Sequence, residues 1–124
     1  MNELLKKLSE ELLSGQEVGE IFGDPKDFPT ELVENISIET ALNYWNGKME
    51  FEEGDCIMNN LQGFWVTNDR FVQNFGFGKI SWACYEAFDA GEYIRRTDNP
   101  DIDPAEIYTK PLIEKLLKEI KKIE

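Results

Sequence analysis

The chain has 124 residues, a formal net charge of -12, 41% hydrophobic residues and no histidine. This length fits one domain, and the apolar share is large enough to offset the conformational entropy lost on folding, which excludes a disordered chain. The lack of histidine excludes a Ser-His-Asp or Cys-His catalytic centre, and the negative charge opposes direct binding to DNA or RNA, because phosphate contacts need clustered lysine and arginine.

The first thirty residues predict one helix followed by loose chain. Residues 2–14 place leucines on one stripe and lysines and glutamates on the opposite side, which is the pattern of an amphipathic helix. Gly15 is a typical residue to end that helix. Residues 16–30 contain two glycines and two prolines that interrupt regular structure, so this segment is predicted to be a loop.

The next segments predict two helices and one ambiguous stretch. Pro29 can open a short helix, and Ser37 suits the N-cap of a second helix that ends at Gly47. Residues 55–77 fit a helical stripe with one skipped turn, but residues 64–73 also fit a β-hairpin around a two-residue turn. We favour the helix, because β-branched residues are sparse in this stretch.

The last third of the chain predicts two more helices. Ser81 can cap a helix with a broad apolar face. Asp103 followed by Pro104 is a helix-start signal. Pro111 has no N–H to donate to the helical ladder, so it predicts a kink or restart of this last helix near Thr109.

The predicted fold is therefore mostly α, a compact single-domain helical bundle of about five to six helices over residues 1–124, with a β-hairpin near residues 64–73 as the open alternative. Cys56 and Cys84 lie among apolar residues without CxxC spacing, so we expect buried free thiols rather than a disulfide. The N-terminus lacks the apolar core of a secretory signal, and no apolar run reaches membrane-spanning length. We expect a cytoplasmic protein.

Two short motifs have both a chemical interpretation and a simpler structural one. Four carboxylates lie within nine residues, a set that would suit a hard cation such as calcium: Asp98, Asp101, Asp103 and Glu106. Prolines stand where an EF-hand loop needs glycine, so we interpret these acids as a solvated loop and a helix cap. Residues 76–79, Gly-Phe-Gly-Lys, lack the spacing of a phosphate-binding loop and are interpreted as a turn. We predict no catalytic residue, no metal and no cofactor.

Acidic residues are concentrated in three segments that hold nearly all of the net charge. Residues 16–40 carry seven acidic residues against one lysine, residues 50–55 carry four, and residues 86–106 carry seven against two arginines. Clustered charge speeds association with a basic protein, and the aromatic residues in the second and third segments can anchor such an interface. We predict that these side chains contact a basic protein partner: Glu50, Glu52, Glu53, Asp55, Glu86, Asp89, Glu92 and Tyr93.

Aromatic and acidic residues are mixed in three segments, Leu61–Trp65, Trp82–Tyr93 and Asp103–Tyr108. In size, charge and this mixture, residues 40–120 resemble the small acidic immunity proteins that are encoded beside bacterial polymorphic or contact-dependent toxins. No fixed motif is shared, so the resemblance implies no particular fold and transfers no site residue by position. It implies a stoichiometric inhibitor that docks on a cognate toxin domain, often a nuclease with a basic active-site cleft.

We therefore predict a non-enzymatic immunity protein that occludes the active-site cleft of a basic bacterial toxin and contacts neither nucleic acid nor membrane. One alternative is a phage or plasmid nucleic-acid mimic that inhibits restriction or CRISPR machinery, with carboxylates at phosphate-like spacing along an elongated body. The other is a small carboxylate-based module that binds metal or acts as an enzyme, with convergent carboxylates in a pocket. The identity of the partner and the oligomeric state stay open.

Overall fold

The computed structural model describes residues 2–95 and 101–124, and seven α-helices run through these two ranges. Their bounds are α1 (Asn2–Glu10), α2 (Gly15–Ile21), α3 (Thr30–Trp45), α4 (Phe51–Val66), α5 (Asp69–Asn74), α6 (Lys79–Ala90) and α7 (Lys110–Glu119), the last preceded by a π-helical turn (Ala105–Thr109). The described residues form no β-strand. The prediction of a mostly helical bundle is confirmed.

Helix α4 is the central element of the bundle. It packs against α1, α2, α3, α5 and α6. Its buried positions recur at helical spacing, so one broad apolar face meets the core while the acidic first turn stays at the surface: Ile57, Met58, Leu61 and Phe64. The accessible surface of 7488 Å² is close to the roughly 7,000 Å² expected for a folded chain of this mass, so the predicted compactness is confirmed.

A buried amide holds the N-terminal helix on α4. Asn60 is 1% exposed, and its Nδ2 donates to the carbonyls of Leu8 at 2.8 Å and Glu11 at 2.9 Å. Its Oδ1 accepts from the amide of Leu13 at 2.8 Å. These bonds satisfy backbone groups that the end of α1 leaves without helical partners, which is why a polar side chain is stable in the core.

The stretch that was ambiguous in the sequence is helical. Helix α4 ends at Val66, and the side chain of Asn68 accepts a hydrogen bond from the amide of Phe71 at 3.1 Å, which caps the short α5. The indole Nε1 of Trp65 donates to the carbonyl of Phe75 at 2.9 Å and so holds the end of α5 against α4. The predicted skipped turn is the break between α4 and α5, and the hairpin does not form.

Several of the predicted helix boundaries are wrong. Ser37 does not cap a second helix: α3 is continuous, Ser37 is fully buried, and its hydroxyl donates to the carbonyl of Val33 at 2.8 Å. Gly15 does not end a helix but begins α2, inside the segment that was predicted to be a loop. Ser14 and Glu17 form a capping box that nucleates this short helix.

The last helices start close to their predicted signals. Helix α6 begins two residues before Ser81, whose buried hydroxyl has no hydrogen-bond partner among the described residues and does not cap. The carboxylate of Asp103 accepts from the amide of Ala105 at 2.9 Å, as a cap should. The predicted break near Thr109 is present as the π-helical turn, in keeping with the missing N–H of Pro111.

Both cysteines are free thiols, as predicted. Cys84 is buried, but Cys56 is only half-buried, so the prediction of two buried thiols holds for Cys84 alone. Within the two described ranges, no helix combines the length and the apolar character needed to cross a bilayer.

Helices α4 and α6 approach each other closely where α4 carries a glycine. A Cβ at Gly54 would overlap the ring of Phe88, which is fully buried and packs against Tyr44 and Phe51 with ring centroids 5.2 and 5.8 Å away. A Cβ at Gly91, just after α6, would likewise overlap the side chain of Thr109. Glycine at these positions lets α4, α6 and the π-helical turn meet.

This packing predicts opposite effects for two glycines in the same helix. Replacing Gly54 with alanine should lower the free energy of unfolding by about 1–3 kcal/mol, because the new methyl overpacks the Phe88 ring. Gly63→Ala is the matched control: no atom lies within 4 Å of the place its new methyl would occupy, so better helix propensity should raise stability by about 0.5–1 kcal/mol. Urea unfolding of both variants measures the difference, and equal effects would contradict the close approach.

Candidate acidic interface

The first turns of α4 and the end of α6 bring together carboxylates from two of the acidic segments. The side chains of Asp55 and Asp89 both lie close to the carboxyl group of Glu92. Asn59 donates from Nδ2 to Oε1 of Glu92 at 3.3 Å. Glu86, one turn before Asp89 on α6, adds a further negative charge. We call Asp55, Glu86, Asp89 and Glu92 the acidic face.

Burial and like charge raise the pKa values of two carboxyl groups of the acidic face, those of Asp55 and Asp89. Burial, then the hydrogen bond and the charge of Glu92, raise the pKa of Asp55 to about 7. Burial and Glu92 also raise the pKa of Asp89, while the Arg95 guanidinium acts in the opposite direction. Asp55 is therefore partly protonated at neutral pH, because ionising its half-buried carboxyl beside Asp89 and Glu92 is unfavourable.

Two aromatic side chains on α6 lie beside these carboxylates. Trp82 and Tyr85 are half-buried, with ring centroids 5.5 Å apart in an edge-to-face contact. Burial, then the charges of Asp89 and Glu92, raise the pKa of Tyr85, so its ring stands close to the acidic face. The sequence predicts only a broad apolar face for this helix, so the position of these two aromatic side chains beside the acids was missed. The signal was present, since positions 82, 85, 86 and 89 form one helical stripe.

Tyr93 is an exposed aromatic at the edge of the acidic face. It is 56% exposed, and the Arg95 guanidinium carbon lies 4.8 Å from its ring centroid and 3.6 Å from that of Tyr108. Arg95 Nη1 also donates to the carbonyl of Ala90 at 2.8 Å. Arg95 therefore connects the end of α6 to the π-helical turn by cation–π contact.

The other predicted contact residues lie at the start of α4 and serve two different purposes. Glu53 accepts from the amide of Glu50 at 2.9 Å through Oε1 and completes a capping box. Glu50 and Glu52 line a cleft that is separate from the acidic face. The structure therefore joins Asp55 to the α6 acids but does not bring all of residues 50–55 into one patch.

That cleft lies between the end of α3, the start of α4 and the π-helical turn, with a volume of about 230 Å³. Tyr44 and Phe51 contribute aromatic rings to its lining, and the acids of the third segment face those of the second across it: Glu50, Glu52, Asp103 and Glu106, with Lys110. We call this the Tyr44 cleft. The sequence assigned Asp103 and Glu106 to a loop and a cap, and only the packing of the π-helical turn against α6 brings them to α4.

The candidate calcium loop is only partly described, because Asp98 lies outside the described residues. Among the residues that are described, no group of three or more His, Cys, Asp or Glu side chains is arranged to hold a metal ion. Comparison of this chain with protein family models, with curated proteins and with solved structures gave no match.

The raised pKa of Asp55 predicts a pH dependence of stability. A carboxyl whose pKa is higher in the folded state stabilises the fold at low pH, and this contribution is lost as the pH rises through about 7. Between pH 5 and 8, the ionisation of Asp55 should lower the free energy of unfolding by about 1–2 kcal/mol. This is less than the change in its pKa would give in full, because water screens a half-exposed carboxyl.

Asp55→Asn should reduce this pH dependence and make the protein more stable than wild type at pH 8. Urea unfolding at pH 5, 6, 7 and 8 measures it, with Glu20→Gln, an exposed acid on α2, as the control that keeps the wild-type slope. An Asp55→Asn profile parallel to that of wild type would contradict the assignment.

Proposed function

We propose that this protein is a binding inhibitor that docks the acidic face onto a basic protein. The observation that carries the proposal is the convergence of Asp55 on α4 with Asp89 and Glu92 at the end of α6 into one group of like charges, with Asn59 Nδ2 of α4 hydrogen-bonded to Glu92 Oε1 at 3.3 Å. Such a group destabilises the isolated fold, and a lysine or arginine brought by a partner relieves the repulsion on binding. Complementary charge of this kind also raises association rates.

The aromatic residues beside the acidic face supply the apolar contact area that carboxylates do not provide. Tight interfaces have a central apolar anchor surrounded by polar and charged residues. Trp82 and Tyr85 are half-buried next to the acids, and Tyr93 is exposed at their edge. A partner covering this surface would bury aromatic area and pair the carboxylates at the same time.

The kind of partner follows from the sequence resemblance and from the chemistry of the surface. Immunity proteins of bacterial toxin systems are acidic and target basic domains, often nucleases. In the proposed complex, the carboxylates occupy the positions that substrate phosphates would take in the toxin's cleft, and the protein acts by steric and electrostatic occlusion. It performs no reaction of its own.

The first test is capture of partners from a lysate of the source organism on the immobilised protein, at low salt and then at about 0.5 M salt. At the higher concentration, screening leaves little of a purely electrostatic contact. We expect one basic protein to remain bound at high salt, because the aromatic residues contribute a salt-independent part. Many basic proteins released together as salt rises would contradict a dedicated inhibitor and would suit a nucleic-acid mimic or a nonspecific acidic surface.

Charge reversal then identifies the surface in the captured complex. Asp89→Lys combined with Glu92→Lys should slow association by about tenfold or more and flatten its salt dependence. Glu52→Lys with Glu53→Lys tests the start of α4 separately, and Lys115→Gln with Lys122→Gln is the control on α7 and the residues after it, with no expected effect. Surface plasmon resonance gives the rates; an unchanged association rate for the α6 pair would exclude the acidic face.

A further inference from the structure

The Tyr44 cleft has the features of a binding site for a single cationic group. Its acids come from two distant parts of the sequence, with Glu50 and Glu52 on one side and Asp103 and Glu106 on the other. Lys110 Nζ lies 3.5 Å from Oε2 of Glu106, so one pair is partly neutralised inside the cleft. The remaining charge is negative, and the cleft is concave, unlike the open acidic face.

The side chain of Tyr44, which is largely buried, lines the same cleft. Tyr44 is 9% exposed, its ring packs edge-to-face on Phe88, and no hydrogen bond joins its hydroxyl to another of the described residues. Burial, then the charges of Glu106, Asp103 and Glu52, raise the pKa of Tyr44 to about 12. The phenol therefore stays protonated, and its hydroxyl, which is reached by water from the cleft, can exchange that water for a hydrogen bond to a ligand.

The shape and lining of the cleft favour a guanidinium group over an ammonium group. A guanidinium is planar, more weakly hydrated and stacks on aromatic rings, and its five N–H donors can serve several acceptors at once. Here Tyr44 and Phe51 supply aromatic surface, and Glu50 and Glu52 supply carboxylate acceptors in the same lining. An ammonium ion would lose more hydration for fewer directed bonds.

We propose that the Tyr44 cleft binds the guanidinium group of an arginine side chain from the protein's basic partner. The source of the arginine rests on the proposed function, whereas the chemistry of the cleft does not. The cleft shares Phe51 and Ala105 with the contact around Gly91, the residue before Glu92, so it adjoins the acidic face. An inserted arginine would add a directional anchor to an interface that the acidic face alone attracts only by charge.

The test uses a small probe, so it does not depend on the partner. We would titrate n-butylguanidinium into the isotope-labelled protein at constant ionic strength and follow chemical shifts by NMR, with neutral n-butylurea and n-butylammonium as comparison probes. Saturable shifts centred on Tyr44, Glu52 and Glu106 are expected, with a Kd on the order of millimolar for so small a ligand. Butylurea should not bind, and butylammonium should bind more weakly.

Three variants separate the cleft from general charge. Tyr44→Phe keeps the ring on Phe88 and should weaken butylguanidinium binding about fivefold through loss of the hydroxyl, and Glu52→Gln should weaken it similarly. Glu20→Gln removes the same charge outside the cleft and should bind like wild type. Unsaturable shifts, equal binding of all three probes, or shifts centred on Asp55 and Glu92 would overturn the site.

The result of the butylguanidinium titration can be separated from the result of the partner capture. If butylguanidinium fails to bind while one basic protein is captured, the cleft proposal is wrong and the inhibitor proposal stands. If the probe binds and the captured complex also loses affinity about fivefold in Tyr44→Phe, the arginine comes from the partner. If the probe binds but the Tyr44→Phe complex is unchanged, the partner is excluded as the source.

Discussion

The close approach of α4 and α6 at Gly54 is the constraint on which both candidate surfaces depend. Only a residue without a Cβ lets α4 lie this near the buried Phe88 ring. Asp55 follows Gly54 directly, so the same approach carries its carboxyl to Glu92. Phe51, one turn earlier, packs on Phe88 and lines the Tyr44 cleft. Two helices held further apart would separate the acids of the face and open the cleft.

Holding like charges together in this way opposes folding, and the apolar core compensates for it. Below the acidic face lie Ile57, Ala87 and Phe88, all within 1% of complete burial, and the burial of such side chains supplies the main favourable free energy of the fold. Asp55 responds with a pKa raised to about 7, so its carboxyl stays partly protonated at neutral pH. Like charges that lower the stability of the free protein, and whose repulsion a bound cation would reduce, are typical of sites where stability has been exchanged for binding.

Several acids of this chain have a local structural role, so the net charge overstates what a partner can meet. Glu17 and Glu53 close capping boxes, and Asp103 caps the chain before the π-helical turn. The charge of a capping carboxylate still acts at long range, which suits steering of a basic partner. In the proposed complex, direct pairing therefore falls to the acidic face and to acids such as Glu52 in the Tyr44 cleft.

The class of fold could be predicted from the sequence, because apolar spacing, capping residues and proline act within a few residues of their own positions. The sequence located α1, the break at Asn68, the cap at Asp103 and the disturbance near Pro111 on that basis. The prediction that Ser37 is an N-cap was wrong, because only the folded structure shows that its buried hydroxyl donates to the Val33 carbonyl of the same helix. The union of Asp55 with Glu92, and of Glu52 with Asp103 in one cleft, was decided by the tertiary structure alone. These contacts depend on how closely α4, α6 and the π-helical turn pack, and that is set by side-chain shape at positions such as Gly54 and Gly91 rather than by any local pattern.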